Sequence, residues 1–272
     1  MESTSRFRTV KVSNPKFERD NLRYITLKTN NLRGRGNICV FVPSNVSATD
    51  LPISILLHGV YGSANSWSQQ AGAHQTALRL IKKGTIRPMI LAMPSDGLWG
   101  DGSAYLPHNG YDFEKWIVED VVGAVKMNIP QAADSKHLFI GGLSMGGFGA
   151  LRLGAKYGKL FNAISSHSAI TALPQMELFV EEPLQEYRQD DETSESVFLT
   201  IKKNWKTLPP LRFDCGQTDL LIEHNRTLHQ QLTEENIPHI YEEFEGAHEW
   251  IYWETHLEDT LRFFEKHCFD GG

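Results

Sequence analysis

Ser144 lies in the segment Gly142-Leu143-Ser144-Met145-Gly146, with a glycine two residues away on each side. The residues before it, His137 to Ile140, are typical of a short apolar strand, and Phe148 to Tyr157 favour a helix. At such a strand-to-helix turn a serine has a strained backbone and an exposed hydroxyl, and a Cβ at the glycine positions would collide with neighbouring elements. The pattern predicts a nucleophilic serine; an ordinary helix start containing Gly and Ser is the alternative.

A serine hydroxyl is a weak nucleophile, so it needs a base within hydrogen-bonding reach and a carboxylate that orients this base. His248 follows a predicted strand and precedes a predicted helix. If that strand is parallel to the one before Ser144, both residues lie at the same edge of the sheet. His167, which follows the next strand after Ser144, is a weaker candidate. The remaining downstream histidines are predicted to be structural or solvent-facing: His224, His229, His239, His256 and His267.

The orienting carboxylate is expected in the segment Phe213 to Leu220, which holds two aspartates. Asp219 follows Gly216, where the chain turns, and directly precedes a predicted helix. Asp214 is still within the strand, where its side chain could instead bond to loop amides. We favour Asp219, although an aspartate at the start of a helix is also a common N-cap.

Attack by a serine on a carbonyl group places negative charge on the carbonyl oxygen, which backbone N–H groups can stabilise. The amide of Met145, the residue after the serine, is one predicted donor. The second is expected from the turn after Leu57-His58-Gly59, where Val60 is favoured and Tyr61 is the alternative. His58 precedes the serine in the chain, so we predict that it braces this loop rather than acting as the base.

Alternating strand and helix patterns follow one another from about residue 53 onwards. The predicted strands are Ile53 to Leu57, Met89 to Ala92, His137 to Ile140, Ala163 to Ser166, Leu211 to Cys215 and His239 to Phe244. The predicted helices are Phe113 to Met127, Phe148 to Tyr157, Leu220 to Glu235 and Trp250 to His267. This alternation predicts an α/β fold with a mostly parallel sheet and helices on both faces.

The N-terminal part of the chain differs, because strand patterns there are separated only by turn residues. Phe7 to Val12, Leu22 to Thr29 and Asn37 to Val42 predict antiparallel strands at one edge of the sheet. Residues 171–208 interrupt the later alternation with acidic and scattered apolar side chains. We predict a single domain, residues 1–272, with a partly helical, lid-like insertion over the site at about 171–208. A solvated surface excursion is the alternative.

The composition of the chain argues against several kinds of binding partner and site. The chain has 272 residues and a net charge of −6, which argues against a nucleic-acid surface or a polybasic membrane patch. The cysteines Cys39, Cys215 and Cys268 indicate neither a disulfide framework nor a zinc site and favour a reducing compartment. Met1 to Arg6 lack a signal-peptide layout, and no stretch is apolar enough to span a membrane. We expect a cytoplasmic protein, or a secreted one if a leader has been removed, with no metal or cofactor.

Together, these motifs resemble the esterase D-like esterases, which include tributyrin, feruloyl and acetylxylan esterases, S-formylglutathione hydrolases and mycolyltransferases. The resemblance extends from about Tyr24 to Phe264 and is carried by Leu57-His58-Gly59, Gly142 to Ala150, Asp214-x-Gly216-x-x-Asp219 and Gly246-x-His248-x-Trp250. It implies an α/β-hydrolase fold, the triad Ser144, Asp219 and His248, and oxyanion donors at Val60 and Met145. The turn after Leu57 looks more like the tributyrin and feruloyl or acetylxylan branch.

The resulting prediction is a serine carboxylic ester hydrolase that forms an acyl-enzyme on short-chain acyl esters or on acetyl or feruloyl esters of carbohydrates. An acyltransferase, a serine peptidase and a non-catalytic binding protein on the same fold are the alternatives. Aromatic and methionine side chains make adaptable apolar pockets. The predicted pocket residues are Trp67, Trp99, Tyr105, Met176 and Phe179, with ordinary core packing as the alternative for each. The predicted role of Trp250 and Trp253 is packing against the sheet.

Overall fold

The computed structural model describes residues 7–268, so Met1 to Arg6, on which the expectation of no signal peptide rests, lie outside the described residues. The strands, in chain order, are β1 (Thr9–Val12), β2 (Leu22–Thr29), β3 (Gly34–Phe41), β4 (Ile53–Leu57), β5 (Ile90–Pro94), β6 (Pro107–His108), β7 (Tyr111–Asp112), β8 (Leu138–Leu143), β9 (Ala163–His167), β10 (Leu211–Gly216) and β11 (Ile240–Phe244). Within the described residues, nine of them form one sheet in the order β1-β2-β3-β5-β4-β8-β9-β10-β11. β6 and β7 form a separate small hairpin.

The pairing of neighbouring strands across the sheet changes once, from antiparallel to parallel. β1, β2 and β3 are antiparallel to their neighbours, and β3 is also antiparallel to β5. From β5 onwards every neighbouring pair is parallel. The carboxyl ends of β4, β8, β10 and β11 therefore meet at one edge, which is where the loops carrying Val60, Ser144, Asp219 and His248 begin. The predicted antiparallel N-terminal edge and parallel remainder are confirmed.

Helices cover both faces of the sheet. They are α1 (Ser66–Gln70), α2 (Ala73–Lys82), α3 (Phe113–Lys115), α4 (Val122–Asn128), α5 (Met145–Lys156), α6 (Val197–Asn204), α7 (Ile222–Glu234) and α8 (Trp250–Lys266). A π-helical turn, Trp116–Val121, joins α3 to α4. One apolar cluster holds α1, α2 and α8 against the sheet, and a larger one holds α3 to α7 against the opposite face.

Side chains along β4 alternate between the two apolar clusters on opposite faces of the sheet. Ile53, Ile55 and Leu57 belong to the larger cluster, whereas Leu56 belongs to the other. Successive side chains of a strand point to opposite faces, so a strand buried on both faces is expected to be mainly apolar. Ser54, the one polar residue of β4, is buried and donates its hydroxyl to Met89 Sδ at 3.6 Å. All residues of Ile53–Leu57 are buried, which explains why this run lacks the polar alternation of a half-exposed strand.

Two local expectations were wrong. The helix after the serine begins at Met145 rather than Phe148. Glycines at positions 146 and 147 lower helix propensity, but close packing against neighbouring elements outweighs this cost. Helices α1 and α2 were also missed: α1 has only five residues, whereas the buried Ala73, Ala77 and Leu80 of α2 follow a helical period that was available in the sequence.

The insertion at 171–208 contains short 3₁₀ turns and α6. It is attached to the rest of the protein through the buried side chains of Leu173, Met176, Tyr187 and Ile201, which belong to the larger apolar cluster. The described residues contain no helix whose length and apolar character would allow it to cross a bilayer.

Candidate active site

Ser144 occupies the sharp turn between β8 and α5. Its backbone adopts φ 54° and ψ −120°, a strained conformation for a residue with a Cβ. The Ser144 N–H donates to the His167 carbonyl at 3.0 Å, and the Ser144 carbonyl accepts the amides of Phe148 at 3.1 Å and Ile170 at 3.2 Å. These bonds hold the turn in its strained form and leave the hydroxyl directed away from the backbone network.

Glycine is required around this serine because other backbone segments pass very close to it. A Cβ on Gly146 would collide with the carbonyl of Leu57, and a Cβ on Gly142 would collide with the carbonyl of Gly146. A Cβ on Gly59 would lie 3.3 Å from the Ser144 Cβ and 3.6 Å from its Oγ. The flanking glycines thus allow β4, β8 and α5 to converge on the hydroxyl.

The structure brings His248 and Asp219 to this hydroxyl from two other loops. His248 Nε2 lies 3.0 Å from Ser144 Oγ. Its Nδ1 lies 3.0 Å and 2.9 Å from the two carboxylate oxygens of Asp219. An ionised carboxylate can only accept, so Nδ1 carries the hydrogen and donates it to Asp219. Nε2 is therefore the acceptor that faces the serine hydroxyl.

Asp219 is kept ionised by its surroundings. Burial alone would raise the pKa of this carboxyl, but hydrogen bonds from His248, the Leu221 amide and the Ser168 hydroxyl outweigh burial and lower the pKa below its ordinary value. The Leu221 amide donates to Oδ1 at 2.8 Å. The carboxylate is thus both fixed in orientation and available to stabilise a positively charged imidazole.

The rival residues His167 and Asp214 form a separate buried pair. His167 Nδ1 lies 2.9 Å from both carboxylate oxygens of Asp214, and its Nε2 bonds to the Thr260 hydroxyl at 2.8 Å. Asp214 also accepts from Tyr252 at 2.8 Å and pairs with Arg212 at 2.9 Å. Both ring nitrogens of His167 are therefore engaged away from the serine. Asp214 is therefore bound by other side chains and not by the loop amides that its position in the sequence suggested.

Several polar groups at the end of β4 and in the loop that follows it, residues 57–61, are fixed by hydrogen bonds. The Leu57 carbonyl accepts from Trp67 Nε1 at 3.0 Å, and the His58 carbonyl accepts from the Tyr105 hydroxyl at 3.0 Å. His58 Nδ1 donates to the Gly59 carbonyl at 2.6 Å, while its Nε2 accepts the Asp96 amide at 3.1 Å. His58 therefore braces the loop, as its position in the sequence predicts.

The predicted oxyanion donors differ from the alternative donor, Tyr61, in their hydrogen bonding. The Tyr61 amide donates to the Asp101 carbonyl at 2.7 Å, so the alternative oxyanion donor is already engaged. Across the described residues, no hydrogen bond to a protein acceptor involves the amide of Val60 or that of Met145. Met145 is the first residue of α5, where amides have no partner within the helix.

A cavity of about 400 Å³ opens beside Ser144. Residues 59–62 form one wall, and Leu143, Phe179, His248, Glu249, Trp250 and Trp253 complete it. The Phe179 ring stacks on the His248 imidazole with a centroid distance of 5.3 Å. Phe179 is therefore the member of the predicted pocket set that the structure places at the site.

The other predicted pocket residues do not line this cavity. Tyr105 and Met176 are fully buried in the larger apolar cluster. Trp67 is buried behind the cavity wall and packs edge-on against Trp250. Trp99 lies in an aromatic cluster with His108 and Tyr187. Packing and hydrogen bonds to loop backbone, rather than substrate contact, account for these side chains.

Trp250 and Trp253 line the cavity, which sequence reasoning missed. Trp253 packs edge-on against His248 at 5.0 Å and donates from Nε1 to the Ser168 hydroxyl at 3.3 Å. Trp250 packs edge-on against Trp253 at 5.2 Å. Their spacing of three residues places them on one face of α8, directly after His248. This spacing, directly after His248, was the sequence feature that could have indicated that both tryptophans lie at the site. No group of three or more candidate metal ligands occurs among residues 7–268.

Comparison with known proteins identifies the family of the chain. The family described as "Putative esterase" matches residues 29–264. The chain belongs to this esterase family. The esterase is 27% identical over 240 residues to an acetyl esterase of Caldicellulosiruptor saccharolyticus, covering 82% of this chain and 86% of the relative.

Solved structures show the same fold. The esterase superimposes on a ferulic acid esterase with a TM-score of 0.78 at 22% identity, covering 96% of this chain and 99% of the other. The TM-score is 0.75 at 21% identity for FphF, a fluorophosphonate-binding serine hydrolase of Staphylococcus aureus, covering 89% and 98%. The protein is an ester hydrolase of the α/β-hydrolase fold, so the alternatives of a peptidase, an acyltransferase or a binding protein are not favoured.

Proposed function

We propose that Ser144, His248 and Asp219 are the catalytic triad of this esterase. The observation that carries the proposal is the unbroken set of contacts from the serine hydroxyl to His248 Nε2 at 3.0 Å and from His248 Nδ1 to Asp219 at 2.9 Å. His248 accepts the Ser144 proton as Oγ attacks the ester carbonyl. Asp219 holds the imidazole in the required tautomer and stabilises its positive charge.

The oxyanion of the tetrahedral intermediate is held by the amides of Val60 and Met145. Val60 lines the cavity that contains Ser144, and Met145 directly follows the serine in the chain. Neither amide donates to a protein acceptor within the described chain. As the intermediate collapses, His248 protonates the leaving alcohol and an acyl-enzyme remains on Ser144. Water then gives up a proton to His248, attacks the acyl group and releases the acid. Each oxyanion donor contributes about 3 kcal/mol to the stability of the transition state.

The substrates we propose are short-chain acyl esters, including acetyl esters of carbohydrates, with feruloyl esters as the second candidate class. The cavity of about 400 Å³ is lined mainly by apolar and aromatic side chains, which suits an uncharged acyl group. The acetyl esterase relative supports the first class. An Anaeromyces mucronatus ferulic acid esterase, solved with ferulic acid bound, has a TM-score of 0.65 to this chain, and the aromatic wall favours the second class.

The test is a panel of acetyl, butyryl, longer acyl and feruloyl esters sharing one chromophoric alcohol. Ser144→Ala and His248→Ala should each lower kcat by about 10⁴-fold or more. His256→Ala is a matched control, because His256 also bonds to an aspartate, Asp259, at 2.9 Å but lies on α8 away from the serine. Substantial turnover by Ser144→Ala would contradict the proposed nucleophile.

A fluorophosphonate label provides an independent measurement. It should modify wild-type protein at Ser144, located by peptide mass spectrometry, and should not modify Ser144→Ala. A folded wild-type protein that never labels there would contradict the triad. The ratio of feruloyl to acetyl kcat/KM then decides between the two substrate classes.

The cellular location is also a proposal. The buried cysteines Cys39 and Cys215 form no disulfide within the described chain, which suits a reducing compartment such as the cytoplasm. Fractionation of cells expressing the full-length native gene product would test this, and recovery of the protein in the culture medium would contradict it.

A further inference from the structure

The loop that carries Val60 is held by hydrogen bonds on both sides of that residue. The bonds to Leu57, His58 and Gly59 come from Trp67, Tyr105 and the His58 ring. The bond on the far side of Val60 comes from Asp101, whose carbonyl accepts the Tyr61 amide at 2.7 Å. Tyr61 has φ 58°, a left-handed conformation that costs free energy for a residue with a side chain. The position of Asp101 therefore fixes one end of the peptide unit next to the Val60 amide.

Asp101 is itself held by the insertion through two reciprocal bonds. The Asp101 amide donates to the Glu182 carboxylate at 3.1 Å, and the Asp101 carboxylate accepts the Glu181 amide at 2.9 Å. We call these two carboxylate–amide bonds the Asp101–Glu182 clasp. Glu182 is oriented by the hydroxyl of the fully buried Tyr187 at 3.4 Å. Gly100, with φ 51°, leaves room for the Glu182 side chain, which a Cβ at this position would displace.

The same segment of the insertion reaches the base. The Phe179 ring stacks on the His248 imidazole, and the Phe179 carbonyl accepts the Tyr61 hydroxyl. Residues 179–182 therefore contact both the loop carrying Val60 and the residue that activates the serine. The clasp joins parts of the chain that are 80 and 81 residues apart in sequence.

We propose that Asp101 and Glu182 are positioning residues for the oxyanion hole, because their clasp fixes the loop of Val60 against residues 179–182 of the insertion. This inference rests on the proposed function. Loss of the clasp leaves the Asp101 carbonyl free to move and with it the Tyr61 peptide that sets the direction of the Val60 N–H. The ester in its ground state scarcely uses that donor, whereas the charged intermediate depends on it. The clasp therefore affects kcat more than KM.

The experiment compares two double variants of the full chain. Asp101→Ala with Glu182→Ala removes both acceptors, while Asp101→Asn with Glu182→Gln retains an acceptor oxygen at each position. We expect kcat for an acetyl ester to fall by about tenfold or more in the alanine pair, with KM changed less than about twofold. The Asn/Gln pair should stay within about threefold of wild type, because an amide oxygen accepts the same N–H bonds. The acidic limb of the pH profile should be the same in all three proteins.

Three results would overturn the inference: unchanged kcat in the alanine pair, an equal fall in the Asn/Gln pair, or a change confined to KM. A shifted acidic limb would also overturn it, because the clasp would then act on His248. If the alanine pair does not fold, as judged by thermal unfolding, Glu182→Ala alone carries the same expectations and the same refutations.

Fluorophosphonate labelling separates this inference from the proposed function. If the wild-type protein is not labelled at Ser144, the proposed function is refuted and the inference is refuted with it. Wild-type labelling at Ser144, with an equal labelling rate in the alanine pair, overturns the clasp alone. The expected result is labelling at Ser144 in both proteins with a rate about tenfold or more lower in the alanine pair.

Discussion

Replacing Asp219 by asparagine tests the electrostatic arrangement of the site most directly. The Leu221 amide donates to Oδ1 of Asp219 at 2.8 Å, which fixes the side-chain oxygen of an asparagine at that position. The amide nitrogen of the asparagine then takes the place of Oδ2, which lies 2.9 Å from His248 Nδ1. Two N–H donors cannot share this contact. The imidazole is therefore expected to move its hydrogen to Nε2, which can no longer accept the Ser144 proton.

The size of the effect distinguishes this tautomer change from simple loss of a contact. The wrong tautomer in a Ser-His-Asp triad lowers kcat about 10⁴-fold, which corresponds to about 5.4 kcal/mol at 1.36 kcal/mol per tenfold. Loss of one hydrogen bond to a charged group costs about 1.5–3 kcal/mol, or roughly 10- to 150-fold. We expect Asp219→Asn to lie near the larger value.

The assay is steady-state hydrolysis of a chromophoric acetyl ester, with thermal unfolding measured on the same preparations. Asp214→Asn is the matched control, since Asp214 is also a buried aspartate bonded to a histidine ring at 2.9 Å. That variant should lose stability, by about 3–5 kcal/mol for a disrupted buried pair, while the folded fraction keeps kcat within a few-fold. Asp219→Asn with less than a 100-fold loss, or Asp214→Asn with an equal catalytic loss while folded, would refute the assigned roles.

Three further predictions concern stability and specificity. Burial would raise the pKa of Asp214, but His167 and Arg212 hold it below the ordinary value. Its contribution to the free energy of unfolding is therefore present above the unfolded pKa of about 3.9 and is lost as the pH falls below it. The free energy of unfolding of Asp214→Asn should fall less steeply on acid titration than that of the wild type. Identical slopes of this free energy against pH would contradict the prediction. Gly146→Ala places a Cβ against the Leu57 carbonyl and should lower both the melting temperature and kcat. The free energy of unfolding should fall by at least the roughly 1–3 kcal/mol that overpacking costs. An unchanged melting temperature would contradict the close approach of these two segments. Trp250→Ala enlarges the cavity and should raise the ratio of longer-acyl to acetyl kcat/KM by about tenfold, whereas an unchanged ratio would mean that the acyl group binds elsewhere.

The parallel part of the fold was predictable because each strand there carries a local signal. Four of the five residues of Ile53–Leu57 are apolar, and the structure gives this strand the same bounds. The serine turn was equally visible, since Gly142 and Gly146 mark the two close approaches that its backbone requires. Once the strands are parallel, the ends of β8, β10 and β11 must share one edge. The chain order of Ser144, Asp219 and His248 then leaves few possible partners.

The cavity walls were much less predictable. A tryptophan pattern indicates burial but not whether the neighbour is a core side chain or an open cavity. Trp67 and Trp250 pack against each other, yet Trp250 lines the cavity and Trp67 lies behind it. The insertion raised the same difficulty, because its acidic residues could not be distinguished from ordinary solvated ones by sequence.

The sequence by itself determined the candidate residues of the proposed chemistry, because a strained serine turn, a histidine after a strand and an aspartate after a glycine are each encoded within a few neighbouring residues. Only the tertiary structure decided the shape of the cavity and the attachment of the loop carrying Val60 to the insertion. Those properties depend on contacts between segments some 80 residues apart, such as Asp101 with Glu181. No local pattern records such contacts, since each partner can satisfy its hydrogen bonds equally well with water until the chain has folded.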